Sequence, residues 1–240
     1  MVDASIGEQR AGSLASRWKV LEGTKTYDLL AVTPLIVWYA VCVTARLPAL
    51  LQQIAGMQLS TIDLLAISSI AAKSASLIFI TVLIALLVFR HTPKAKAPGL
   101  IPRIMALGGT YLGVGIVLLP SIQLSARLYL TATLLIVSGT AFALYSALKL
   151  GRSISMMSEA RRLVTCGPYA LVRHPLYLGE GIALAGLTLQ FLSPWAVVIF
   201  ALQCACQMQR MKNEERVLLR AFPEYRNYMD RTARLVPHLY

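Results

Sequence analysis

Long runs of apolar residues, separated by short polar connectors, dominate this chain of 240 residues. The runs are continuous rather than alternating, and a helix needs roughly 20 mainly apolar residues to cross the hydrocarbon of a bilayer. In hydrocarbon every backbone N–H and C=O group must be satisfied within its own segment, which favours helices here over a barrel of strands. The pattern therefore predicts an all-α, polytopic bundle of transmembrane helices without strands.

About six segments have the length and composition of membrane spans. The third of them carries Gly108, Gly109, Gly113 and Gly115, which allow a neighbouring helix to come close. The last two are short and almost contiguous, so they are predicted to form a helical hairpin. The six segments are 29–51, 66–89, 104–119, 128–150, 177–191 and 194–208.

The basic residues give the chain a net charge of +12 and lie almost entirely between the apolar runs. Of the 23 lysines and arginines, 20 lie before residue 29, in the connectors 90–103 and 149–175, or after residue 209. By the positive-inside rule, both termini and these connectors are predicted to be cytoplasmic. Because the charges do not form one soluble basic patch, membrane topology explains them better than nucleic-acid binding.

The remaining composition helps to divide the chain into parts. The cysteines show no paired CxxC spacing, so neither a metal site nor a disulfide framework is predicted. Residues 1–28 lack the apolar core of a signal peptide and are interpreted as a polar or interfacial leader. Residues 29–144 would hold helices one to four, and residues 145–240 would carry the chemistry.

Most of the polar side chains lie in two blocks, which the predicted topology brings to the same membrane face. Residues 163–179 read LVTCGPYALVRHPLYLG, and residues 213–228 read NEERVLLRAFPEYRNY. Gly167-Pro168 favours a turn, and Pro175 suits the first turn of a helix. Arg173 and His174 are therefore predicted at a helix N-terminus, where Arg173 can bind a carboxylate as a fork. The alternative is that Arg173 contacts lipid phosphates and His174 only caps the helix.

Together with residues 150–153 and 234–237, these blocks resemble the superfamily of isoprenylcysteine carboxyl methyltransferases and phospholipid methyltransferases. The resemblance covers roughly residues 145–237. It implies an integral membrane methyltransferase that takes S-adenosylmethionine from the cytosol and a lipophilic acceptor from the bilayer. The acceptor would be an isoprenylcysteine-type carboxylate or a phospholipid-type amine. The cofactor would lie among helix ends and the C-terminal segment, because the chain has no Rossmann fingerprint.

The resemblance also implies roles for individual residues. It assigns catalytic roles to Arg173, His174 and Glu214. One glutamate of the pair Glu214-Glu215 would bind the ribose hydroxyls or the amino group of the cofactor. The alternative is that the two are surface charges that pair with Lys212, Arg216 or Arg220. Tyrosines would stack on adenine or contact the sulfonium, or else serve as ordinary interfacial residues. The implied cofactor-binding residues are Gly167, Tyr169, His174, Pro175, Tyr177, Leu178, Gly179, Glu214, Glu215 and Tyr225.

Two charged residues lie inside predicted spans. Glu180 is costly to bury unpaired and is therefore a candidate functional residue. Its stretch is also similar to that of membrane sterol and enone reductases, which bind NADPH, although Leu176 stands where those enzymes usually carry Asn. Lys73 either lines a cleft between helices or is merely tolerated. Three function classes stay open: a methyltransferase, an NADPH-dependent reductase, and a catalytically silent membrane protein with this fold.

Overall fold

The protein, seen in a computed structural model, is described over residues 24–57, 63–120 and 122–237. Most of the leader expected over residues 1–28 lies outside these ranges. The described residues are predominantly helical, which confirms the all-α class. The helices are α1 Lys25–Ala55, α2 Leu64–Phe89, α3 Ile101–Tyr111, α4 Val114–Val117, α5 Ala126–Leu150, α6 Pro175–Gln190, α7 Pro194–Ala221 and α8 Tyr225–Arg231.

Three stretches are long and apolar enough to cross a membrane: α1, α2, and residues 126–153, which contain α5. Residues 101–117 form a shorter apolar stretch. They are not the single helix expected over residues 104–119, because the chain turns at Leu112 and Gly113 between α3 and α4. Glycine weakens a helix interior, which explains the break in this glycine-rich segment. The count of six spans and the cytoplasmic orientation of the termini remain predictions.

Polar side chains and prolines set the starts of the long helices. The hydroxyl groups of Thr24, Ser125 and Ser193 accept hydrogen bonds from backbone N–H groups of α1, α5 and α7. Asp63 does the same for α2. These caps satisfy N–H groups that have no partner inside the helix. Helix α1 therefore begins at Lys25, before the start at residue 29 that hydropathy alone predicts.

The expectation of no strands is wrong in one place. Ala95–Lys96 (β1) and Glu159–Ala160 (β2) form a short antiparallel pair, with Ala95 opposite Ala160. Both segments belong to polar connectors at the same end of the bundle, where extended backbone must find partners outside a helix. The pair therefore fixes one connector against the other.

A buried group of charges joins the start of α1 to these connectors. The Asp28 carboxylate accepts hydrogen bonds from Arg90, at 2.8 Å for Nη2, and from Arg161, at 2.8 Å for its Nη2. All three residues are at most 4% exposed. A carboxylate buried to this degree is tolerated because two guanidinium groups surround it.

Helices α5 and α6 approach so closely that their backbones touch through glycines. A Cβ atom on Gly179 would lie 2.6 Å from the backbone N of Ala143, and one on Gly139 would lie 2.4 Å from the backbone N of Ala183. A Cβ atom on Gly186 would lie 2.6 Å from the backbone O of Ala132. Only glycine allows this contact, and α6 consequently packs chiefly against α5 rather than against α7, its neighbour in the chain.

The glycines of the third predicted segment also serve close packing, as expected. Cβ atoms on Gly108 and Gly109 would each lie 2.9 Å from side chains of α7, namely Cys206 and Gln207. Helix α3 thus lies against α7. Between this pair and the α5–α6 pair the bundle leaves an internal space, which borders the candidate site.

We expect Gly179→Ala to lower the free energy of unfolding by about 1–3 kcal/mol, because its new methyl group meets backbone atoms that cannot turn away. Gly181→Ala is the matched control on the same helix, since a Cβ atom there has no neighbour within 4 Å. The control should leave stability unchanged or raise it by up to ~1 kcal/mol, as alanine favours helix. Thermal unfolding in detergent checks this, and equal melting of both variants would contradict the close contact.

Candidate functional site

The two polar blocks of the sequence meet at the end of the bundle where the connectors lie. The first block turns at Gly167, whose φ of +62° lies in the left-handed region that favours glycine. A short 3₁₀ turn follows over Gly167–Ala170, and α6 begins at Pro175, as predicted. The second block lies on the polar half of α7, which continues beyond the apolar residues 194–208 to Ala221.

Glu215 is the centre of the contacts between the two blocks. Its Oε1 atom accepts hydrogen bonds from Arg173 Nε at 2.9 Å and from Arg234 Nε at 3.0 Å, and its Oε2 atom accepts from Arg234 Nη2 at 2.7 Å. His174 Nε2 lies 3.2 Å from Oε1. Glu215 is only 4% exposed. This carboxylate therefore ties α7 to the start of α6 and to the C-terminal segment.

The surroundings of Glu215 decide its protonation. Burial alone would raise the pKa of its carboxyl group, but hydrogen bonds with His174 and Arg234 and the charge of Arg173 hold that pKa well below its ordinary value. Glu215 is consequently ionised over the physiological pH range. A buried carboxylate whose two oxygens already bind protein groups serves as a structural anchor.

Arg173 is engaged in the same anchor. Besides Glu215, its guanidinium group donates to the backbone carbonyl oxygens of Met229, at 2.9 Å, and Thr232. The backbone N–H groups of Arg173 and His174 donate to carbonyl oxygens of residues 233 and 234. The guanidinium that the sequence suggested as a fork for a ligand carboxylate is thus occupied by the protein itself.

Glu214 faces the other way and forms a second group of contacts. It accepts hydrogen bonds from the hydroxyl group of Tyr177 and, at 3.1 Å, from Arg210 Nε. The Arg210 guanidinium lies over the Tyr177 ring, 4.9 Å from its centroid, and also donates to the backbone oxygen of Ser155 at 3.2 Å. The ring of His174 stacks on that of Tyr177, with centroids 5.6 Å apart. Tyr177 is therefore held on several sides.

Two cavities meet at this point. The larger one has a volume of about 670 Å³ and is lined mainly by apolar side chains of the bundle. The smaller one, of about 90 Å³, lies beside Glu214 and is lined by aromatic, charged and aliphatic residues. Ser155, Leu176 and Tyr177 line both cavities. These three residues form the junction between the larger cavity and the smaller one, which charged side chains border.

Several of the predicted site residues surround the smaller cavity, while others serve packing. The glutamates do not pair with Lys212, Arg216 or Arg220 in the described residues, and both point into the protein. Gly179 contacts α5, Gly167 faces Lys149, Pro175 is fully buried, and Leu178 lines neither cavity. The predicted residues that do line the smaller cavity are Tyr169, Arg173, His174, Tyr177, Glu214 and Tyr225.

The sequence interpretation missed three residues of the site. Arg210 lies four residues before Glu214 on the same helix, a spacing that brings two side chains together and was a usable signal. Ser155 and Glu159 lie in the connector 149–175, where the Ser155 hydroxyl donates to Glu159 at 2.8 Å. Both line the smaller cavity. Nothing in their local sequence marks them, because only the folding of the connector over α7 brings them there.

We expect Glu215→Gln to lower the free energy of unfolding by about 3–5 kcal/mol, since two arginines would lose the anion between them. The ordinary carboxyl pKa is 4.5, and that of Glu215 is lower when folded, so its contribution is complete above about pH 4.5 and is lost as the pH falls further. Wild-type stability should therefore decline below pH 4.5 more steeply than that of Glu215→Gln. Unfolding in detergent at several pH values measures this. Glu224→Gln is the control, because Glu224 is an exposed residue directly before α8. Parallel pH profiles of wild type and Glu215→Gln would contradict the anchor.

Comparison with known proteins finds a family that part of this chain resembles. Residues 128–225 match the model of the phospholipid methyltransferase family. The matched stretch begins in α5 and ends at the start of α8, so it includes the first polar block, most of the second and the junction of the two cavities.

Two relatives match a shorter part of the chain. A nickel-cobalt-cadmium resistance protein of Alcaligenes xylosoxydans is 35% identical over 82 residues, which are 34% of this chain and 38% of the relative. A cobalt-zinc-cadmium resistance protein of Cupriavidus metallidurans is 38% identical over 78 residues, which are 32% of this chain and 36% of the relative. The matches thus span less than two-fifths of either relative, and the names of these relatives identify no reaction. Over residues 128–225 the chain is thus similar to the phospholipid methyltransferase family, which belongs to the superfamily of integral membrane methyltransferases.

Proposed function

We propose that this protein is a multi-pass membrane methyltransferase that transfers a methyl group from S-adenosylmethionine to a lipophilic acceptor. The observation that carries the proposal is the junction at Ser155, Leu176 and Tyr177, where the larger cavity within the bundle meets a smaller one whose lining includes charged and aromatic side chains. A methyl donor from water and an acceptor from lipid need such a meeting point. The match of residues 128–225 to the phospholipid methyltransferase family supports the same reaction class.

The residues of the smaller cavity suit the chemical groups of S-adenosylmethionine. The carboxylate of Glu214 can accept hydrogen bonds from the ribose hydroxyls or the amino group, because each of its oxygens accepts more than one bond. The faces of Tyr169, Tyr225 and Tyr228 offer aromatic surface for the adenine ring, and aromatic faces also attract the sulfonium cation. The donor set therefore fits this group by its chemistry.

The size of the smaller cavity adds a condition. Ligand sites commonly measure about 300–1,000 Å³, a range that contains the 670 Å³ cavity but not the 90 Å³ one. The cofactor would therefore extend across the junction towards the larger cavity, or the connector 149–175 would move aside when it binds. Either way the reactive end would lie beside Tyr177, at the border of the apolar space.

The chief tasks of the protein are to align the two reactants and to exclude water. S-adenosylmethionine, when bound, supplies a methyl group on a positively charged sulfur. Glu214 and Arg210 fix the Tyr177 hydroxyl and ring, so the wall of the junction keeps one orientation. Apolar side chains of the larger cavity exclude water from the acceptor side. Alignment within a dry site accounts for most of the acceleration that such a displacement needs.

The larger cavity provides space for an elongated acceptor. It follows α6 from Leu176 to Phe191, which is roughly 22 Å at 1.5 Å per helical residue. Its lining comes from α1, α2 and α5 as well as α6, so it lies within the part of the bundle that is long enough to cross a membrane. A lipophilic acceptor would enter this cavity from the bilayer, between helices, while the cofactor arrives from the cytosol.

We expect the purified protein to bind labelled S-adenosylmethionine and not NADPH, and Glu214→Gln to weaken this binding by on the order of tenfold, the equivalent of one lost charged hydrogen bond. Glu224→Gln is the matched control, because it removes an exposed carboxylate outside both cavities. Equilibrium binding in detergent measures both affinities.

The same experiment separates the other function classes. Binding of NADPH in place of S-adenosylmethionine would indicate a membrane reductase, and binding of neither would indicate a silent member of the fold. If Arg173→Ala and Glu214→Ala both retain wild-type affinity for S-adenosylmethionine, the cofactor site proposed beside Glu214 is wrong.

A further inference from the structure

We propose that Arg46 and Lys73 bind the phosphate of an anionic lipid at the end of the larger cavity that is remote from the connectors, with one acyl chain of the lipid inside that half of the cavity. Both residues line this cavity, whereas neither lines the smaller one. The site lies away from the junction, so it goes beyond the proposed reaction and does not depend on it.

Arg46 and Lys73 lie at the same level of the bundle. The contact between Asp28 and Arg90 brings the start of α1 beside the end of α2, and α1 packs against α2 along the bundle. Arg46 follows Asp28 by 18 residues, and Lys73 precedes Arg90 by 17. At 1.5 Å per helical residue, both cations lie roughly 26 Å from the Asp28–Arg90 contact. Two neighbouring helices thus present a cation to the same cavity at one height.

This height is close to the far edge of a bilayer. The hydrocarbon layer is about 30 Å thick, and both α1 and α2 are long and apolar enough to cross it. Lys73 Nζ donates to Gln53 Oε1 at 2.6 Å, and Gln53 is seven residues nearer the end of α1 than Arg46. The lysine therefore extends away from the connectors, in the direction of the lipid head groups.

The described residues provide no acid that offsets these two charges. Neither Arg46 nor Lys73 forms an ion pair there. Asp63 lies at this end of the bundle, but it caps the start of α2, ten residues before Lys73. Glu180 lines the cavity within one turn of the junction, at the other end. The far end of the cavity therefore carries a net positive charge that an anion would balance.

The distribution of basic residues makes this pair of cations unusual. Almost all lysines and arginines lie on the side that is predicted to be cytoplasmic, and the opposite side of a membrane protein normally carries few. Arg127, another exception, is exposed at the start of α5 and lines neither cavity. Arg46 and Lys73 are also exposed, so a ligand can reach them, but they border a cavity. Charged residues of a span that face a cavity are candidates for ligand binding.

The hydrogen-bond donors at this end suit a phosphate. The guanidinium group of Arg46 can bind two phosphate oxygens as a fork, and the ammonium group of Lys73 supplies a point charge. Gln190, the last residue of α6, also lines the cavity and carries an amide NH₂ group. Basic pockets between transmembrane helices bind anionic lipid head groups by this chemistry. A neutral or cationic head group would leave both charges unbalanced.

The space beside the cations suits an acyl chain. Ala49 on α1 and Leu187 and Phe191 at the end of α6 line this half of the cavity. The cavity continues along α6 for roughly 22 Å to Leu176 at the junction. A phosphate at Arg46 and Lys73 is therefore too far from the junction to belong to the reacting end of an acceptor. The lipid is a second occupant, which closes the far end of the cavity.

Native mass spectrometry of the full chain in detergent tests the phosphate site. The probes are didecanoyl phosphatidylglycerol, didecanoyl phosphatidylcholine, didecanoylglycerol and inorganic phosphate. We expect wild type to bind the anionic phosphatidylglycerol about tenfold or more tightly than the zwitterionic or the uncharged lipid. Arg46→Gln and Lys73→Gln should each weaken this binding by on the order of tenfold, because each removes a charged hydrogen bond. Arg127→Gln, the matched control, should leave it unchanged.

A second pair of variants tests whether the acyl chain enters the cavity. Ala49→Phe adds a ring to the cavity wall one turn after Arg46, whereas Ala55→Phe makes the same change at the end of α1, outside the cavity. We expect only Ala49→Phe to weaken the binding of phosphatidylglycerol, by about tenfold. Inorganic phosphate at the same concentration should not displace the lipid, since it has no apolar part to bury.

Each part of the proposal can fail separately. Equal affinity of wild type and the Arg46→Gln/Lys73→Gln double variant for phosphatidylglycerol, or an equal loss in Arg127→Gln, would overturn the phosphate site. Equal effects of Ala49→Phe and Ala55→Phe, or displacement of the lipid by inorganic phosphate, would show that the cations contact phosphate only at the surface and would overturn the occupied cavity. None of these outcomes depends on S-adenosylmethionine binding, so they leave the proposed methyltransferase function to its own test.

Discussion

The pairing of buried carboxylates with arginines is the constraint on which this structure depends. Asp28 lies between Arg90 and Arg161, and Glu215 lies between Arg173 and Arg234. A charge with little access to water is tolerable only beside an opposite charge with good hydrogen-bond geometry. Each pairing joins segments that are far apart in the chain, so the charges also define how the connectors and the C-terminal segment close the end of the bundle.

Within this frame, adjacent residues acquire different roles. Both carboxylate oxygens of Glu215 bind arginines of the anchor, while Glu214 holds Tyr177 and Arg210 at the edge of the smaller cavity. Glu180 departs from the pattern, because it faces the larger cavity without an ion-pair partner in the part of the chain that the structure describes. The other buried acids each have an arginine partner, whereas Glu180 has the side-chain amide of Gln207.

Glycines set two of the helix contacts around the larger cavity. Gly139, Gly179 and Gly186 bring α5 and α6 into backbone contact, whereas Gly108 and Gly109 make room for side chains of α7 against α3. Gly179 shows the consequence for the sequence interpretation. Its place in the family-like motif suggested cofactor binding, yet its contact with Ala143 explains equally well why glycine stands there.

The sequence by itself determined the all-helical class, the helices long enough for a membrane, the turn at Gly167, the helix start at Pro175 and the similarity of residues 128–225 to a methyltransferase family. These follow from local rules: apolar length, proline and glycine geometry, and motif spacing. The tertiary structure decided which polar residues serve the anchor and which border a cavity. Arg173 and Glu215 looked like ligand contacts, whereas Ser155 and Arg210 drew no notice. The physical reason is that the partners of a buried charge come from distant segments, and the hydropathy of one stretch contains no information about them.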